Sequence, residues 1–127
     1  MFGENHAHIF MNGVNYKEAV RTHEKAPDEQ VIRRHLEAYQ KKGVTFLRDG
    51  GDALHVSEET RRIAPEYGID YRSPVFAIHK NGHYGSIVGR GFADLREYAA
   101  LVREVKKNHG DFIKIMTTGI MDFDTDG

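Results

Sequence analysis

Apolar residues recur along the chain at two periods, and the switching between them predicts strands and helices in turn. Phe2 to Phe10 reads as a short strand, with His6, His8 and Phe10 on one face and Ala7 and Ile9 on the other. A loop rich in Asn and Gly follows. Pro27 and Asp28 open a helix over Asp28 to Lys42, where Val31, Ile32, His35, Leu36 and Tyr39 form one stripe and Gly43 is the stop. His35 is a packing residue on that stripe. Val44 to Leu47 is a β-rich run that ends in Arg48-Asp49-Gly50-Gly51, and Ser57 with Glu59 and Thr60 starts a helix ending near Tyr67-Gly68. Proline removes a ladder donor, so the third strand starts at Pro74 or Val75 and runs into His79. Lys80 to Phe92, with Gly82, Gly85, Gly89 and Gly91, predicts a long mobile loop near a ligand. Asp94 caps a third helix striped by Leu95, Tyr98, Ala99, Val102 and Val105 and closed by His109-Gly110, and Phe112 to Met116 is the fourth strand.

Strands alternating with helices predict an α/β fold with a parallel sheet, in one unit spanning residues 1–127. Three helices would cover either a doubly wound sheet or half of a barrel. Strands one and four would be open edges, which allows a homo-oligomer. Composition narrows the partners. Lys plus Arg (18) balance Asp plus Glu (19) for a net charge of −1, so no electrostatic footprint for nucleic acid or an acidic membrane exists. The absence of cysteine removes disulfides, thiolate metal sites and a cysteine nucleophile, and agrees with a reducing cytoplasm. No apolar run approaches the ~20 residues of a membrane span, and the first residues lack a secretory pattern.

Chemically active side chains collect where the apolar runs end: His6 and His8 on the first, Arg48 and Asp49 on the second, His79 on the third, Lys114 and Thr117 on the fourth. Two imidazoles one residue apart on a strand share a face and can share a metal ion. Lys114 alternates with Phe112 and Met116 against Ile113 and Ile115, which predicts an interior position. Desolvation favours a neutral amine there. Such an amine either attacks a carbonyl to form a Schiff base or takes up carbon dioxide to form a carbamate. His83, Tyr84 and Arg90 in the long loop are candidates to orient a substrate amide or carboxylate, with His79 beside them. His23, His55 and His109 sit in loop or helix-end contexts and read as surface residues.

Glu4-Asn5-His6-Ala7-His8, Gly43-Val44-Thr45-Phe46-Leu47-Arg48-Asp49-Gly50 and Asp111-Phe112-Ile113-Lys114-Ile115-Met116 together resemble the metal-dependent amidohydrolase superfamily, particularly its imidazolonepropionase-like and prolidase-like members. The resemblance covers nearly the whole chain. It implies the first half of a (β/α)8 barrel of TIM type, strands one to four. His6 and His8 would bind the more buried of one or two divalent ions, Zn2+ first among them, and Lys114 would be the carbamylated bridge. The implied reaction is hydrolysis of an amide-type C–N bond in a small molecule, such as a cyclic amide or a dipeptide, by metal-activated water.

Two features depart from the family's pattern. Glu4 stands where the family has Asp, and its extra methylene alters a contact behind the histidines. The family's two further metal histidines and its catalytic aspartate belong to strands five, six and eight, so no catalytic residue is identifiable up to Gly127, and these 127 residues are expected to be inactive alone. Asp122, Asp124 and Asp126 read as a solvated loop. The alternatives are a Schiff-base lyase or aldolase acting through Lys114 on the same barrel, and a non-catalytic α/β binding module.

Overall fold

A computed structural model describes residues 1–117 and contains six strands: β1 (Phe2–Ala7), β2 (Val44–Asp49), β3 (Asp70–Arg72), β4 (Ala77–Lys80), β5 (Gly89–Phe92) and β6 (Lys114–Met116). All are parallel to their neighbours, in two sheets of order β1-β2-β3 and β5-β4-β6. Four helices accompany them, α1 (Tyr16–His23), α2 (Glu29–Lys41), α3 (Val56–Ile63) and α4 (Leu95–Lys107), and a 3-10 turn at Ala64–Tyr67 follows α3. The chain is mixed α/β with parallel strands, as its alternating periods predict. Both β1 and β6 are sheet edges. Among the described residues no helix is long and apolar enough to cross a membrane. The tail with Asp122, Asp124 and Asp126 lies outside the described residues.

The helices begin where side-chain acceptors satisfy free amides. Asp28 accepts from Val31 N at 3.2 Å at the start of α2, whose Ile32 and Leu36 are fully buried in one cluster with Leu47 of β2. Asp94 accepts from Glu97 N while Glu97 Oε2 accepts from Ala93 N at 2.7 Å, a reciprocal cap that sets α4. Val105 of α4 then packs with Val75, Phe76 and Ile78 in a second cluster. His109 takes the left-handed turn (φ 61°) after α4, and Gly110 N closes on Val105 O at 2.9 Å. For α3 the acceptor is Asp52, which bonds the amides of Leu54, Val56 and Ser57.

Several expectations are corrected. The first strand stops at Ala7 rather than Phe10, because the Ile9 amide turns to the Asp49 carboxylate (3.0 Å) and Ile9 and Phe10 enter the core. The expected Asn/Gly-rich loop contains α1, capped by the Asn15 side chain on the amides of Lys17 and Glu18. The third strand starts at Ala77 rather than at Pro74 or Val75, and an unexpected strand, β3, precedes it: Val75 sits at φ 70° with Phe76 N bonded back to Pro74 O, a tight turn that separates β3 from β4. The expected loop over Lys80 to Phe92 includes β5, paired to β4 along Ala77↔Gly89 to Lys80↔Phe92. His23 is buried, at 1% exposure, whereas His55 and His109 are exposed. Finally, Lys114 is half-buried instead of interior, since Ile113 and Ile115 on the opposite face are 39% and 44% exposed.

Candidate functional site

A cleft of about 430 Å³ opens between the ends of β1 and β2 and the start of β6, lined by Asn5, His6, Arg48, Asp49, Gly50 and residues 112–115. Neighbouring residues of β1 reach it together because of a bulge. Glu4 pairs with Leu47 and Ala7 with Asp49, so β1 spends one residue more than β2 over this stretch. The extra residue lets Asn5 and His6 both face the cleft. The Glu4 carboxylate accepts from the His6 amide at 2.9 Å, so it braces the bulge through the backbone and not through an imidazole.

His8 lies one residue beyond β1, half-buried, and its ring meets that of His6 edge-on with centroids 5.3 Å apart. His8 Nδ1 stands 2.9 Å from the Gly51 carbonyl. A carbonyl can only accept, so Nδ1 carries the proton and Nε2 keeps its lone pair. The Nε2 edge faces Gly50, where an added Cβ would fall 2.7 Å from Nε2 and 2.4 Å from Cε1. Burial holds both imidazoles below the usual histidine range, and the nearby Lys114 ammonium pushes both in the same direction. Both shifts favour the neutral ring, the state a metal requires.

Asp49 anchors this arrangement from beneath. It is 1% exposed, and its oxygens accept from Ile9 N (3.0 Å), Gly51 N (2.7 Å) and the Tyr71 hydroxyl (2.8 Å). Burial pushes its pKa up to about 6, against the opposite pull of these three donors. Through Gly51 it fixes the carbonyl that orients His8, and through Ile9 it fixes the chain leaving His8. Its place at the end of β2 was legible as a chemically active position, but its positioning role depends on contacts across 22 to 40 residues that no local pattern contains.

His6 and Lys114 line the cleft; His8 does not line it but stands beside it, its ring against that of His6. His79, His83, Tyr84 and Arg90 do not line the cleft. The His79 ring is 7% exposed, bonded to Lys80 O at 3.0 Å and packed so closely that a Cβ on Gly85 or Gly91 would meet it within 3.0 Å. Arg90 stacks over Phe76 at 4.5 Å and is ion-paired to Glu104. His83 is exposed and Tyr84 half-buried on the β4–β5 connection. His35, on the α2 stripe, is half-buried and bonds Ile9 O through Nδ1 at 2.7 Å, in keeping with a packing role.

Among the described residues no group of three or more His, Cys, Asp or Glu gathers to hold a metal ion. The donor set is the His6 imidazole in the cleft and the His8 imidazole beside it, with an amine that becomes an oxygen ligand only as a carbamate. An oriented His8 tautomer, a free Nε2 and the missing Cβ at Gly50 fit a divalent ion, while two imidazoles and one carbamate oxygen leave a Zn2+ ion short of its usual four ligands. Comparisons with protein-family profiles, curated proteins and solved structures find no match for the chain.

Proposed function

We propose that this chain is the metal-binding first half of an amidohydrolase-type (β/α)8 barrel, acting on an amide-type C–N bond of a small molecule. The observation that carries the proposal is that His6 of β1 and Lys114 at the start of β6 line one cleft, with the His8 ring 5.3 Å from that of His6. Parallel strands in sequential order β1-β2-β3, with β6 beside β4, are compatible with a barrel half in which β3 and β4 are two pieces of one strand. The motif resemblance adds the chemistry. Bound at this site, a divalent ion supplies a water of lowered pKa and polarises the substrate carbonyl.

The chain's own residues hold and orient. His8 presents Nε2 because Gly51 O fixes Nδ1 and Asp49 fixes Gly51; Lys114 would release its ammonium proton and then add carbon dioxide at Nζ with loss of a second proton. No described side chain in the cleft is free to shuttle the catalytic proton: Asp49 is the lone carboxylate lining it, and both its oxygens are engaged. The role of the described residues at the cleft is thus ligand supply. Elemental analysis after dialysis against Zn2+ and bicarbonate is expected to find bound zinc in the wild-type chain and a loss of most of it in a His6→Ala/His8→Ala variant. Equal zinc in the two proteins would remove the basis of the proposal.

A further inference from the structure

Arg48 and Lys114 both face the cleft, and neither is ion-paired to a carboxylate among the described residues. Arg48 is also held. Its guanidinium carbon lies 4.2 Å from the centroid of the Phe112 ring, and stacking of this kind fixes the plane of the guanidinium while leaving its N–H edge available. Asp49, the carboxylate that lines the cleft, is buried and its oxygens accept from three donors, none of them Arg48.

From this geometry we infer that Arg48, stacked on Phe112, is the recognition group for a carboxylate on the molecule that enters the cleft. A planar fork matches two carboxylate oxygens, each through a charge-assisted hydrogen bond. The apolar wall of Phe112, Ile113 and Ile115 suits the organic part of such a ligand. A phosphate is the other anion an arginine takes, but the backbone amides of a helix N-terminus that usually cradle it are missing here, since no lining residue opens a helix. As a statement about the substrate, this rests on the amide-hydrolase reading above and narrows it to amides that carry a carboxylate. As a statement about binding, it does not.

Metal-free protein titrated with N-acetylglycine and with its neutral counterpart N-acetylglycinamide, followed by amide NMR, separates the two. The carboxylate is expected to bind about tenfold more tightly than the amide, a difference of about 1.4 kcal/mol, with shifts at Arg48 and residues 112–115. Arg48→Gln should abolish that preference, and Phe112→Leu, which keeps the charge and removes the platform, should reduce it severalfold. A His6→Ala/His8→Ala variant should retain it, so a failed metal site and a failed carboxylate site give different results. Equal binding of the two probes, or a preference that survives Arg48→Gln, would overturn the inference. Inorganic phosphate that binds the same residues more tightly than N-acetylglycine would overturn it in favour of a phosphate-bearing ligand.

Discussion

Replacing Asp49 with asparagine is expected to change how stability depends on pH. In the folded chain the Asp49 carboxyl is pushed up to about 6 by burial, against an ordinary value of 3.8. A group that holds its proton more tightly when folded adds stability below its unfolded pKa and loses that contribution as pH rises through its folded pKa. The full difference is about 3 kcal/mol at 1.36 kcal/mol per unit. About 2 kcal/mol of it should develop between about pH 7.5 and about pH 4.5. On protonation the Tyr71 hydroxyl, now bonded to Asp49 Oδ2 at 2.8 Å, can rotate to accept instead of donate. Asparagine has no such transition. Urea unfolding at both pH values should therefore show wild type gaining on Asp49→Asn as the solution is acidified. A constant gap, or one that closes on acidification, would mean that the three donors outweigh burial.

The second large effect concerns metal binding without loss of fold. Gly50 has no positive φ, so alanine fits its backbone, but the new Cβ would lie 2.4 Å from His8 Cε1. Something must move. His8 is the freer partner, tied by the single Nδ1 bond to Gly51 O. Gly50→Ala is thus expected to weaken Zn2+ binding by about 10–100-fold, the scale seen when the group that orients a metal ligand is lost. Its unfolding midpoint should stay near that of wild type. Zinc titration by calorimetry reads the first quantity and thermal unfolding the second; unchanged affinity would place the metal elsewhere than in front of His8 Nε2.

What was legible in the sequence is what local periodicity controls. Ile32 and Leu36 of the α2 stripe are buried, the α4 stripe holds from Tyr98 to Val105 but not at Leu95, which is 81% exposed, and the alternation of Phe112, Lys114 and Met116 against Ile113 and Ile115 is preserved in β6. Features made by distant contacts were hidden. Strand β5 has two glycines in four residues and no strand signal, yet it pairs with β4 so closely that a Cβ on Gly89 would fall 2.0 Å from Ala77 O. Helix α1 did leave a local trace, because Asn15 followed by Glu18 is a capping pattern inside an otherwise loop-like stretch. His23 is buried for a reason its neighbours in sequence do not reveal: its Nδ1 accepts from the Asp28 amide at 2.9 Å and ties the end of α1 to the start of α2. At the site, the His6-x-His8 spacing was visible, while the bulge that aims it and the Asp49–Gly51 support are products of the pairing between β1 and β2.

The central claim is that His6, His8 and Lys114 form one centre, and carbon-13 NMR with labelled bicarbonate tests it most directly. In the presence of Zn2+ the wild-type chain should show a carbamate carbonyl signal. That signal should be absent in Lys114→Arg and lost in the His6→Ala/His8→Ala variant, because the metal that stabilises the carbamate is then no longer held beside it. No carbamate in zinc-loaded wild type, or a carbamate signal undiminished in the histidine double variant, would contradict the account.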